Sequence, residues 1–156
     1  MELSEALNVS RITLDLQSGD KQAAIRELAQ LAGDHGPLAD VAGYVESVIE
    51  REFLLSTGVG RGVAIPHAQS GAATGLSCCL GVSRAGIDFE SIDDEPVHIV
   101  CMIVAEEGSD AAYLLLLSRI SRLFAQRHVR QQVLRAASPE DLLAAIRAAE
   151  AADLAD

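Results

Sequence analysis

The chain has 156 residues, 49% of them hydrophobic, with 23 acidic against 12 basic side chains and a formal net charge of −11. That length and apolar content exclude a disordered chain and suit one domain with a real core. The acidic balance, with 3% aromatics and no Trp, excludes a nucleic-acid binder, which needs clustered Lys and Arg and aromatic platforms for stacking. The longest apolar runs, around Ile99–Val104 and Leu114–Leu117, fall far short of the roughly 20 residues of a membrane-spanning helix.

In chain order, Arg11–Gln17 alternates, with Ile12, Leu14 and Leu16 on one side, and predicts a strand. Asp20 or Ser18 caps a helix over about Lys21–Ala32, whose apolar positions Ala24, Ile25, Leu28 and Leu31 recur at helical spacing. After a turn at Gly33–Pro37, Pro37 opens a second helix to about Arg51, striped by Val41, Tyr44, Val45, Val48 and Ile49. Leu54–Ser70 reads as a constrained loop with one brief strand, Val63-Ala64-Ile65. Leu76–Ser83 and Val97–Ala105 read as buried strands joined by the turn-rich Arg84–Pro96. Ser109 or Asp110 caps a helix over about Ala111–Ala125, and a shorter helix covers about His128–Ala136. Ser138-Pro139-Glu140-Asp141 starts the last helix, which runs to about Glu150 before a frayed tail.

Alternating strands and helices predict an α/β fold: a single mixed β-sheet flanked by helices on both faces. One domain fills residues 1–156, with its core over about 10–150. Cys78, Cys79 and Cys101 lie in apolar strand runs without CxxC spacing, so they read as buried thiols in a reducing, cytoplasmic setting. The start, Met-Glu-Leu-Ser-Glu, lacks the basic region of a signal peptide.

The chemistry concentrates between Arg51 and Ala68. Gly58, Gly60 and Gly62 alternate there, and such glycines permit left-handed backbone and expose amides able to hold an anion. Pro66 fixes its own φ and pushes Ile65 towards extended geometry, so His67 follows a rigid corner. Arg51 and Arg61 offer planar cations for a phosphate. The pattern is neither a Walker A loop nor a dinucleotide fingerprint. From the residues alone this is an anion site whose histidine is either structural or nucleophilic. The other histidines read differently: His35 and His128 as surface residues, and His98 as part of a strand. No histidine pair has metal-ligand spacing, so neither metal nor cofactor is expected.

The run Arg51-Glu52, Ser56-Thr57-Gly58-Val59-Gly60 and Gly62-Val63-Ala64-Ile65-Pro66-His67 resembles the signature of the fructose/mannitol-type enzyme IIA domains of the phosphotransferase system, including the stand-alone nitrogen-regulatory version. Gly86-Ile87-Asp88-Phe89, Ile92-Asp93 before Glu95-Pro96-Val97, and the acidic bend Ala105–Asp110 extend the likeness over roughly Leu14 to Ile146. The resemblance implies that His67 is phosphorylated by the phosphohistidine of an HPr-like carrier, and passes the group to a IIB-type acceptor or uses it as a regulatory signal. It implies that Arg51 binds phosphoryl oxygens or orders the loop. Ser56, Thr57, Gly58, Gly60 and Arg61 are the expected phosphate-binding residues, although Arg61 is itself a smaller departure, standing where stand-alone members often have Asn. One departure stands out: Tyr113 occupies the position where that family commonly has a second histidine, and Tyr carries no positive charge near neutral pH. A regulatory interaction module controlling a kinase, transporter or transcription factor is the competing expectation. A third is a degenerate member that binds an anion or metabolite without transfer.

Overall fold

The computed structural model of the chain describes residues 1–155. One mixed six-stranded sheet, ordered β1-β5-β6-β3-β2 with β4 also on β6, lies between two helical layers. The strands are β1 (Ile12–Thr13), β2 (Gly58–Gly60), β3 (Val63–Ala64), β4 (His67–Ser70), β5 (Ser77–Ile87) and β6 (Val97–Glu106). The helices are α1 (Leu3–Ala6), α2 (Lys21–His35), α3 (Val41–Leu54), α4 (Asp110–Phe124), α5 (Arg127–Arg135) and α6 (Pro139–Ala155).

The two long antiparallel strands, β5 and β6, form the centre, and their alternate side chains enter different cores. Cys78, Leu80, Ile99, Cys101 and Ile103 face α1, α4, α5 and α6. Cys79, Val97, Val100, Met102 and Val104 face α2 and α3. Both faces are buried, which is why these strands read as continuous apolar runs instead of alternating ones. All three cysteines are buried and free, and burial pushes the Cys79 thiol up to about 12, which keeps it unreactive.

Several element boundaries differ from the expectations, each for a local reason. The strand expected over Arg11–Gln17 contracts to Ile12–Thr13, because the segment crosses from one face to the other. Ile12 joins the α4-side core and Leu16 the α2-side core, and Leu16 keeps only a backbone bond to the Val82 carbonyl, 2.9 Å. Helix α3 starts at Val41 and not at Pro37, since the Asp40 side chain accepts from the Gly43 N–H at 3.0 Å and supplies the N-cap. Leu54–Ser70 contains three short strands where one was expected. The core begins at Leu3, not near residue 10, because α1 buries Leu3, Ala6 and Leu7 against the α4-side layer. Helix α6 continues past Glu150 to Ala155; the end of the expected frayed tail, residue 156, lies outside the described residues.

Candidate active site around His67

Strands β3 and β4 are one strand interrupted at Ile65-Pro66. Val63 pairs with Ile99 and His67 with Ile103, both in parallel and at the same offset, so the proline interrupts the hydrogen bonding without shifting register. Pro66 has no N–H to give, yet its carbonyl still accepts from Ile103 at 2.9 Å. Period-two alternation then carries Val63, Ile65 and His67 to the α4 face. Strand β2 covers β3 but not β4, leaving His67 at an open sheet edge. The buried Tyr44 hydroxyl of α3 donates to the Ile103 carbonyl, locking that helix to the strand position opposite His67.

His67 is buried, and its Nδ1 lies 2.6 Å from the Ile65 carbonyl oxygen. A carbonyl only accepts, so Nδ1 carries the hydrogen and Nε2 keeps its lone pair. Burial holds the imidazole pKa below its ordinary 6.5; the Ile65 carbonyl and Glu52 oppose that shift, while the Arg51 charge adds to it. Near neutral pH the ring is therefore uncharged, with a free lone pair on Nε2.

The structure brings two of the expected partners to it. The Tyr113 ring, on the first turn of α4, stands 5.6 Å from the His67 ring between centroids. Burial raises the Tyr113 pKa although the Arg51 charge pulls the other way, so its hydroxyl stays protonated and can donate. Arg51, near the end of α3, donates to the Leu55 carbonyl at 3.3 Å. Together Arg51, Leu54, Ala68, Gln69 and Tyr113 line an open depression of about 420 Å³. Gln69 is held there by a 2.7 Å bond from its amide to Asp110.

The remaining expected phosphate ligands point elsewhere. The Ser56 hydroxyl donates to the Phe89 carbonyl and accepts from the Gly58 N–H at 3.0 Å. The Thr57 N–H, 3.0 Å away, and its hydroxyl are both taken by the buried Glu52 carboxylate. Gly58 has no room for a side chain: a Cβ there would lie 2.2 Å from Ser91 Oγ. Gly60 sits in a left-handed turn at φ +92°, and the next amide, that of Arg61, donates to Asp93 at 2.8 Å. The Arg61 guanidinium reaches the Ala125 carbonyl at 3.0 Å. That is the far end of α4 from Tyr113, about 18 Å along the helix axis. In this structure the Ser56 and Thr57 donors and the Arg61 backbone N–H are taken by other groups of the protein, and Arg61 stands apart from His67.

Sequence reasoning missed Glu52 and Lys21. Glu52 pairs with Lys21 at 3.0 Å while anchoring Thr57, and Lys21 also donates to the Phe89 carbonyl at 3.3 Å. Glu52 thus ties the loop before β2 to α2 and α3, and Lys21 ties the loop before β6 to α2. An acidic residue inside an apolar helix stripe was the available signal. The Ile65 carbonyl had no signal at all, since any residue presents one.

Comparison with known proteins gives a consistent result. Residues 5–149 match the family described as "Phosphoenolpyruvate-dependent sugar phosphotransferase system, EIIA 2". The chain is 36% identical over 143 residues to the fructose-specific EIIABC component of Bacillus subtilis, covering 92% of this chain but 22% of that longer protein. It is 32% identical to the fructose-specific EIIA component of Haloferax volcanii, covering 93% of this chain and 96% of that protein. The nitrogen regulatory protein of Pseudomonas aeruginosa is 29% identical, with 91% of this chain and 92% of that protein covered. Among solved structures, the nitrogen regulatory protein IIA-Ntr of Neisseria meningitidis superposes with a TM-score of 0.85 at 28% identity, covering 92% of this chain and 97% of that one. IIA mannitol of Escherichia coli has the same fold, with a TM-score of 0.77 at 20% identity, covering 90% and 98%.

Proposed function

Because the chain belongs to the EIIA 2 family of the phosphoenolpyruvate-dependent sugar phosphotransferase system, we propose that it is a phosphohistidine carrier that accepts a phosphoryl group on His67 Nε2. The donor is the phosphohistidine of an HPr-like protein. The acceptor is a IIB-type domain, or the phosphorylated state serves as a regulatory signal. The observation that carries this reading is the 2.6 Å contact between His67 Nδ1 and the Ile65 carbonyl, which fixes the tautomer and leaves Nε2 as the nucleophile.

In the transfer, the Nε2–P bond forms as the donor's N–P bond breaks. The ring gains positive charge while keeping its Nδ1 proton, and the Ile65 carbonyl stabilises that charge. The same charged ring is a good leaving group for the next transfer. Little covalent chemistry is left to the protein beyond positioning and stabilising the equatorial oxygens. Arg51 supplies positive charge to those oxygens and the Tyr113 hydroxyl a neutral hydrogen bond.

A protein partner suits the surroundings better than a small substrate. Phe53, Leu54 and Leu55 are 91%, 81% and 65% exposed, directly beside Arg51 and the depression under Tyr113. An apolar rim of this kind marks a docking surface. No described helix is long and apolar enough to cross a membrane, and a cytoplasmic setting goes with the proposed donor.

A regulatory reading has one specific observation in its favour. Tyr113 stands where a cationic partner would speed transfer, and relatives include nitrogen regulatory proteins. The deciding experiment is incubation with phosphorylated HPr, followed by intact mass measurement. A gain of one phosphoryl group that disappears in His67→Ala supports the carrier. No gain in the unaltered protein overturns it in favour of a regulatory module acting without phosphotransfer.

A further inference from the structure

The transfer reaction leaves one feature of the surface unused. Gly60, Arg61 and Gly62 have φ values of +92°, +60° and +79°. A left-handed residue bearing a Cβ is strained, and such strain persists where the surroundings impose it. Here it places the Arg61 backbone N–H on Asp93 and its guanidinium on the Ala125 carbonyl. Arg130 donates to the same Ala125 carbonyl at 2.9 Å and to the Phe124 carbonyl at 2.8 Å. Two guanidinium groups therefore sit side by side, and the charges of Arg61 and Arg127 both lower the Arg130 pKa, after desolvation.

Among the described residues, none of these three arginines lies within ion-pairing distance of a carboxylate. Capping the end of α4 accounts for one cation, since a helix C-terminus carries only about half a negative charge. In a chain with a net charge of −11, three gathered arginines, with Asp93 the carboxylate nearest to Arg61, concentrate positive charge at this end of α4.

Beside them opens a cleft of about 440 Å³ whose walls include Arg61, Val63, Ile65, Ile92, Asp93 and Phe124. The Asp93 carboxylate accepts from the N–H groups of Arg61 and Glu95 and stays ionised, so an anionic head group seats on the arginine side of the cleft, away from it. A mostly apolar cleft of this size with a few converging polar groups is the ordinary form of a small-molecule site.

We propose that this cleft binds a small organic anion, with an apolar body against Val63, Ile65 and Phe124 and a carboxylate or phosphate head on Arg61, in the field of Arg127 and Arg130. The cleft is separate from the depression lined by Arg51 and Tyr113, but one residue links it to His67. Ile65 lines the cleft and its carbonyl holds His67 Nδ1, so an occupant is expected to register at the His67 ring.

The test is a backbone-amide NMR titration of the unphosphorylated protein with four probes: phenyl phosphate, phenylacetate, inorganic phosphate and benzyl alcohol. At least one of the two aromatic anions should shift the Gly60–Gly62, Asp93 and Ala125 amides. It should also bind about tenfold more tightly than inorganic phosphate or benzyl alcohol. Which anion wins identifies the head group. Arg61→Asn should weaken binding about tenfold, Asn being tolerated in the left-handed region. Ala125→Leu, which fills the cleft and keeps every charge, should weaken it comparably and serves as the deciding variant if Arg61→Asn does not fold. His67→Ala should bind as the unaltered protein does. Equal binding of all four probes, or shifts that centre on His67 and vanish in His67→Ala, would overturn the proposal. So would undiminished affinity in Ala125→Leu.

Discussion

The rings of His67 and Tyr113 face each other at the open sheet edge, with centroids 5.6 Å apart and planes inclined at 55°. One belongs to β4 and the other to the first turn of α4, so the contact joins the strand that carries His67 to the helix that covers it. The pair sets the first prediction. A protonated Tyr113 gives a phosphoryl oxygen a neutral hydrogen bond, whereas a histidinium would give a charge-assisted one, stronger by about 1–1.5 kcal/mol. Tyr113→His should therefore speed phosphoryl uptake about tenfold, and Tyr113→Phe should slow it. Time courses of intact mass with phosphorylated HPr measure both. An unchanged rate in both variants would mean that Tyr113 does not touch the transferring group.

Arg51 acts on His67 in two separable ways. Its charge lowers the His67 pKa, so Arg51→Met should raise it, as followed by the ring Cε1–H shift in an NMR titration. Its planar fork also suits phosphoryl oxygens better than a point charge. Arg51→Lys should thus leave the pKa nearly in place yet slow uptake at least about tenfold. Equal rates for Arg and Lys at this position would leave only the electrostatic role.

The depressed His67 pKa has a consequence for stability. Between the folded pKa and the ordinary 6.5, the unfolded chain binds a proton that the folded chain does not. Stability then rises with pH across that window. The contribution is intact above the unfolded value and is lost as pH falls towards the folded one. His67→Gln removes the group, so its Tm should fall less than that of the unaltered protein between about pH 7.5 and pH 5. Identical falls would mean that His67 titrates normally in the fold.

Two changes away from the histidine probe the scaffold. Gly58→Ala would press a Cβ to 2.2 Å from Ser91 Oγ and 3.0 Å from Ser91 Cα, which should cost about 2 kcal/mol in denaturant unfolding. Glu52→Ala removes the partner of a mostly buried Lys21 and frees the Thr57 N–H and hydroxyl. A loss of about 3 kcal/mol is expected. Losses below about 0.5 kcal/mol in both would show that β2 and the loop before it are not held as described.

Much of the site was legible in residue order because its signals are local. Proline after an apolar triplet, alternating glycines and an arginine at a helix end can each be read within a few positions. Arg61 shows the limit of such reading. Its place between glycines made it an expected phosphate ligand, yet the left-handed turn swings it to Ala125 at the opposite end of α4. Ser56 and Thr57 are placed away from His67 for a related reason. Their donors are consumed by Phe89 and Glu52, and nothing in the order of residues reports who reaches a donor first.

By itself, then, the sequence determined the layered α/β class, the buried strands β5 and β6, and the histidine after the proline corner. These rest on periodicity and backbone restriction, which act over one or two turns of chain. Only the tertiary structure decided which atom of His67 is free and which expected ligands meet it. The Nδ1 partner is a backbone carbonyl that carries no identity in the sequence, and Tyr113 arrives from 46 residues away through the pairing of β4 with β6 and the turn into α4. Burial of the ring, a property of the packed layers alone, then keeps the imidazole uncharged near neutral pH.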